Sequence, residues 1–256
     1  MTALRRPLMA ANWKMHFTAG EAARYLEAFF AGAPSDSARE VVFFVPAALL
    51  AESCAAATGR AAAVGAQNIH WEDRGAFTGE TSAPMVSAAG ASHCLVGHSE
   101  RRQLFHEDDA TIRRKLLAAL RNGLHPLLCV GERIAERRGG GARETVVRQL
   151  LGALEGLAAA DLEPLSVAYE PVWAIGTGET ATPDVAAEMH AHVRDALRQL
   201  AGDALARGTR ILYGGSVTPA NVDQLMARPE IDGVLVGGAS LDPAAFRRIV
   251  DFDASG

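Results

Sequence analysis

Of the 25 cationic residues in this chain only Lys14 and Lys115 are lysines; the rest are arginines. Lys14 follows Asn12 and Trp13 at the end of an apolar run, where an isolated ammonium could stabilise negative charge that develops during a reaction. Lys115 sits among Arg113 and Arg114 in a helical stretch and reads as a solvated helix residue. Two more chemically capable residues follow apolar runs: His98 after His93 to Gly97, and Glu170 after Ser166 to Tyr169. A carboxylate and an imidazole are the usual means of moving protons at neutral pH. Three glycine-rich turns complete the set, Gly176-Thr177-Gly178, Gly214-Gly215-Ser216 and Gly237-Gly238. Such turns feeding helix N-termini expose backbone N–H groups that bind phosphate. The composition of the set is therefore acid–base chemistry on a small phosphorylated molecule.

These residues need elements to hold them. Eight short apolar runs recur along the chain: Leu8 to Asn12, Val41 to Val45, Ala62 to Ala66, His93 to Gly97, Pro126 to Val130, Ser166 to Tyr169, Arg210 to Tyr213 and Gly233 to Val236. Each is near-continuously apolar, the pattern of a strand covered on both faces. Helical spacing lies between them. Ile112, Leu116, Leu117 and Leu120 recur at three to four residues with Gly123 as a C-terminal stop, and Val185, Met189, Val193, Leu197 and Leu200 do the same. A first helix is expected from about Ala19 to Ala31. Thr182-Pro183, Thr218-Pro219 and Asp242-Pro243 read as helix starts, a capping side chain followed by a proline in the first turn.

Strand–helix alternation of this kind implies a parallel sheet, either a doubly wound open sheet or a closed (β/α)8 barrel. The count of eight favours the barrel. With 256 residues and no linker, residues 1–256 read as one α/β barrel domain. Reactive groups in a barrel sit at the carboxyl ends of the strands, where the residues above fall, and the turns after strands seven and eight commonly hold phosphate.

Bulk composition excludes several classes. A hydrophobic fraction of 49% and a charged fraction of 21% suit a globular chain with a large core. The formal net charge of -5 offers no basic excess for nucleic acid. No apolar stretch reaches the roughly 18 residues that span a bilayer, and no signal-peptide pattern opens the chain, so a cytoplasmic location is expected. Cys54, Cys94 and Cys129 lack metal-knuckle spacing and leave an odd count; Cys94 and Cys129 read as buried thiols. No strand is followed by a full dinucleotide fingerprint, and no metal or cofactor is expected.

Five ordered segments carry a resemblance that extends over essentially the whole chain. They are Asn12-Trp13-Lys14-Met15, Gly97-His98-Ser99-Glu100-Arg101-Arg102, Tyr169-Glu170-Pro171-Val172-Trp173-Ala174-Ile175-Gly176-Thr177-Gly178, Tyr213-Gly214-Gly215-Ser216-Val217 and Leu235-Val236-Gly237-Gly238-Ala239-Ser240-Leu241. Together they resemble the signature segments of the triosephosphate isomerase family, and Gly75-Ala76-Phe77-Thr78-Gly79-Glu80 resembles its protruding loop after strand three. The resemblance implies a TIM barrel and the cofactor-free interconversion of dihydroxyacetone phosphate and D-glyceraldehyde 3-phosphate, a step of glycolysis and gluconeogenesis. It implies that Glu170 is the base and that His98 polarises the carbonyl and shuttles a proton. Lys14 would stabilise the enediolate and the phosphate, and Asn12 would bond a substrate oxygen. Gly176, Ser216, Gly237 and Gly238 would hold the phosphate, and Glu100 would help place Lys14 or His98. It makes Pro171 to Thr177 a closing lid. Through Thr78 and its loop it also implies a homodimer.

A neutral imidazole whose pKa is lowered by a helix N-terminus is a known property of this family's histidine; here Ser99-Glu100-Arg101-Arg102 could open that helix, with Ser99 near its cap. His16, His70, His106, His190 and His192 read as exposed or capping residues, Arg101 and Arg102 as ion-pair formers, Glu132 as a loop support, and Trp13 and Trp173 as packing residues. Two rivals remain: an isomerase of a four-carbon sugar phosphate, and a barrel that binds phosphate without catalysis.

Overall fold

In the computed structural model, which describes residues 5–32, 38–175 and 181–254, every apolar run forms a strand whose ends differ from the expected ones by at most one residue. In chain order the elements begin β1 (Leu8–Asn12), α1 (Ala19–Phe30), β2 (Glu40–Val45), α2 (Leu50–Ala57), β3 (Ala63–Ala66) and α3 (Ala83–Ala88). There follow β4 (His93–Val96), α4 (Ser99–Leu104), α5 (Asp109–Arg121), β5 (His125–Val130), α6 (Ile134–Arg138) and α7 (Ala142–Leu154). The chain continues with β6 (Ser166–Tyr169), α8 (Pro183–Gly208), β7 (Arg210–Tyr213), α9 (Val222–Met226), β8 (Gly233–Val236) and α10 (Pro243–Val250).

All strand pairings are parallel and sequential, and β1 pairs with β8 through Leu8 opposite Gly233 and Ala11 opposite Val236, so the sheet closes. Closure explains the apolar runs. Side chains alternate between two dry environments. Leu8, Ala10, Val42, Phe44, Leu95, Leu127, Ala168 and Leu212 fill the barrel interior, while Met9, Ala11, Phe43, Val45 and Val167 face the helices. Neither face meets water, so no polar alternation appears.

Thr182 and Asp242 cap α8 and α10 as expected, accepting the N–H groups of Val185 and Ala245. Thr218-Pro219 does not start a helix. It opens a turn, and α9 begins only at Val222 after Asn221, whose side chain accepts the Thr218 N–H. The turn's polar side chain bonds backward, and the proline lies in the turn rather than in helical position one.

Three expected surface residues are buried. Lys115 is 4% exposed and donates to Glu107 and Asn68, both at 2.6 Å. It shares the inner face of α5 with Ile112, Leu116 and Ala119, a placement that the helical spacing itself implies. Burial lowers its pKa against the pull of Glu107. His190 is fully buried on the inner face of α8, with Nδ1 3.1 Å from the Glu230 carbonyl oxygen. His70 is buried too, but its Nδ1 accepts the Glu72 N–H and so also caps a turn. Arg101 and Arg102 form the expected ion pairs, with Glu107 and Asp109.

Burial holds the His190 pKa down to about 4 from 6.5, with the Glu230 contact opposing the shift. The unfolded chain therefore binds a proton that the folded chain refuses, so stability is full above about pH 6.5 and falls as the pH drops toward 4. Chemical denaturation between these pH values should show a loss on the order of 3 kcal/mol from this group, which His190→Gln removes. An identical acid slope in the variant would assign the loss to other groups.

Candidate active site

Glu170 is the first residue past β6, and its N–H continues the ladder by donating to the Val130 carbonyl oxygen at 2.8 Å. Its neighbours across the sheet have no side chains. A Cβ on Gly131 would lie 1.8 Å from the Glu170 carbonyl oxygen, and one on Gly214 would lie 2.9 Å from Glu170 Cγ. Gly131 thus makes room for the Glu170 backbone, and Gly214 for its side chain. Glu170 as a whole is 2% exposed. Its Oε2 accepts the Ser99 N–H at 2.9 Å and its Oε1 lies 3.1 Å from His98 Nε2.

His98 itself, not Ser99, is the N-cap of α4, and its Nδ1 accepts the Glu100 N–H at 3.3 Å. That contact places a lone pair on Nδ1 and the proton on Nε2, the neutral tautomer in which Nε2–H donates to Glu170. The expected lowering of the His98 pKa is not found in this arrangement. Burial lowers it, but the adjacent Glu170 carboxylate outweighs burial and the net direction is upward. Glu170 shows the converse: burial raises its pKa, and the charge and hydrogen bond of His98 with the Ser99 N–H bring it below the usual value. The two groups hold one another, so the upward pull on His98 depends on where the Glu170 carboxylate sits.

Lys14 approaches from β1. Its backbone has a positive φ of 51°, uncommon for a residue with a side chain. The Asn12 side chain accepts the Lys14 N–H at 3.0 Å, and the Gln67 amide donates to the Lys14 carbonyl oxygen at 2.8 Å and to that of Phe44 at 3.0 Å. The ammonium donates to Glu100 at 2.5 Å. Glu100 also lies 3.7 Å from His98 Nδ1, so one carboxylate stands beside both groups. Gln67 was missed from the sequence although it directly follows β3, the strand end at which only the protruding loop drew attention.

A cavity of about 280 Å³ brings these groups together. Asn12, Lys14, His98, Glu170, Ser216, Gly237 and Gly238 all line it, with Ile175 and Leu235 as apolar wall. Gly237 and Gly238 open a short helical turn, Gly238–Leu241, whose first N–H groups have no acceptor within the turn. Gly176 lies outside the described residues. Thr78 is exposed on its loop and is not part of this cavity.

The segment after β6 is tied down by Glu132, which is fully buried after β5. One oxygen, Oε1, accepts from Tyr169 Oη at 3.1 Å, Trp173 Nε1 at 2.8 Å and Arg137 Nη1 at 3.2 Å. Trp173 is thus a polar anchor as well as a packing residue. The Arg137 guanidinium also lies 4.8 Å from the centre of its ring.

A closed parallel barrel whose carboxylate, imidazole and ammonium surround a glycine-lined cavity at the strand ends defines an α/β-barrel enzyme. The family model for triosephosphate isomerase matches residues 7–253. Among similar proteins, the triosephosphate isomerase of Herpetosiphon aurantiacus is 52% identical over 249 residues, covering 97% of this chain and all of the relative. That of Moorella thermoacetica is 50% identical over 250 residues, covering 98% of this chain and all of the relative. The crystal structure of triosephosphate isomerase from Bartonella henselae superposes with a TM-score of 0.86 at 41% identity, covering 96% of this chain and 98% of that one. The chain belongs to the triosephosphate isomerase family.

Removing this shared acceptor should be costly. Glu132→Leu removes the acceptor of the buried Tyr169 hydroxyl and of the Trp173 indole N–H, with an expected loss of about 2–4 kcal/mol in denaturant unfolding and a shifted Trp173 indole resonance. A variant as stable as the parent, with that resonance unmoved, would remove Glu132 from this role.

Proposed function

We propose that this protein interconverts dihydroxyacetone phosphate and D-glyceraldehyde 3-phosphate through an enediolate, with Glu170 as base, His98 as electrophile and Lys14 as electrostatic stabiliser. The observation that carries the reading is the convergence of those three side chains on one cavity with the glycine turns of Ser216, Gly237 and Gly238. With the phosphate on the turns, the carbon next to the carbonyl lies toward Glu170, which takes its proton. The Nε2–H of His98 bonds the carbonyl oxygen as that oxygen becomes negative, then carries a proton between the two oxygens. Glu170 returns a proton to the neighbouring carbon, and no net atom is gained or lost.

The electrostatics suit this sequence. When the Glu170 carboxylate turns from His98 to the substrate carbon, the attraction that raises the His98 pKa weakens. Burial and the N-terminus of α4 then favour the uncharged imidazole. Asn12 and Glu100 hold Lys14 where charge develops, Asn12 also facing the substrate. Gly176 joins the phosphate turns by family resemblance alone.

A homodimer is part of the proposal. Met15 is 94% exposed and Phe105 62%, and both line a second opening beside Lys14 and Glu100. That opening is about 480 Å³ and suits the Thr78 loop of a second copy, whose Phe77 is also exposed. Sedimentation should give the mass of two 27.0 kDa chains; a single-chain mass at assay concentrations sinks this part.

Steady-state turnover with triose and tetrose phosphates separates the main reading from its four-carbon rival, and activity with neither would favour the phosphate-binding barrel. Glu170→Asp withdraws the carboxylate by one methylene and should lower kcat by about 10²-fold or more, while inorganic phosphate still competes for the site. Full turnover in the variant would remove Glu170 from its role.

A further inference from the structure

A second chamber, of about 290 Å³, lies beyond Glu170. Glu170 is the one residue that lines both this chamber and the cavity assigned to substrate, among the described residues. The chamber walls are polar: Ser99, Arg102 and Gln103 from α4, Arg133 after β5, and Arg148 and Gln149 from α7. We infer that this chamber is the route by which the proton taken up by Glu170 exchanges with solvent during turnover. The inference rests on the proposed role of Glu170 as base.

The two carboxylate oxygens point to different sides. Oε1 contacts His98, a residue of the substrate cavity, whereas Oε2 accepts from the Ser99 N–H, which belongs to the chamber wall. Gly131, which also lines the chamber, lets the Glu170 backbone pack directly against the end of β5, since a Cβ there would lie 1.8 Å from the Glu170 carbonyl oxygen. The walls are held open by hydrogen bonds rather than packed shut. Arg102 donates to the carbonyl oxygens of Gly97 and Cys129 and pairs with Asp109, and Gln149 bonds both the N–H and the carbonyl oxygen of Gly131. Polar walls around such a volume can be wetted, at about 30 Å³ for each water. The substrate cavity, by contrast, meets Glu170 from the other side with Ile175 and Leu235 in its apolar wall, where a substrate would take the place of water. In the exchange the carboxylic acid O–H passes its proton to a water in the chamber and receives another from it. No bond to carbon changes, and the proton returned to the enediolate comes from solvent.

The test is isomerisation of unlabelled glyceraldehyde 3-phosphate in D2O, with the dihydroxyacetone phosphate trapped as it forms and its hydrogen content read by proton NMR. Exchange shows as deuterium in the product; direct return shows as retained hydrogen. Gln103→Trp and Arg133→Trp plug the chamber from α4 and from the loop after β5, at exposed positions outside the proposed catalytic set. Each should raise the retained-hydrogen fraction several-fold while kcat stays within about twofold of the parent. Parent turnover with an unchanged fraction in both variants overturns the route alone. Absence of turnover in the parent chain overturns the isomerase reading itself.

Discussion

A carboxylate removed from water is stable only if other groups replace its hydration, since an unpaired buried charge costs several kcal/mol. Glu170 meets this condition with two partners, His98 Nε2 and the Ser99 N–H, both from the loop after β4. Between β4 and β6 lies β5, followed by Gly131, whose missing side chain lets the Glu170 backbone pack close. The far side is bounded by Gly214 after β7. Four consecutive strands thus shape the surroundings of one side chain, and the curvature of a closed sheet is what turns their ends toward each other.

The same economy of partners recurs around the site. Glu100 serves Lys14 and stands beside His98, and Glu132 collects three donors on one oxygen. In each case a residue just past a strand binds a group from another strand end, so the loops are cross-linked by charge-assisted hydrogen bonds rather than packed by large side chains. Ion pairs at the other end of the barrel do different work. Glu40 pairs with Arg210 and with His93, and the His93 hydrogen bond leads the influences that hold its carboxyl down to about 2. These residues tie the first residues of β2, β4 and β7 together, far from the proposed chemistry.

The strands were legible because burial on both faces leaves a continuous apolar run, a signal that depends only on the nature of the two environments. Helices were legible for a similar reason, but their inner faces were read as wholly apolar. Lys115 and His190 both occupy inner-face positions by spacing, and each meets a partner elsewhere in the chain there, Glu107 at the Lys115 ammonium and the Glu230 carbonyl oxygen at His190 Nδ1. Thr218 shows the limit of local chemistry: a cap-and-proline pair suits a turn as well as a helix start, and Asn221 resolves it in favour of the turn.

Residue types and order by themselves determined the alternating elements, the count of eight strands, and which residues follow each strand, because these are properties of local spacing and burial. They did not determine the Gln67 bridge to Lys14, the direction of the His98 pKa, or the chamber beyond Glu170. Each of these is set by distances between groups far apart in the chain. Electrostatic and hydrogen-bond energies change steeply over an ångström or two, and that scale exists only once the barrel has closed.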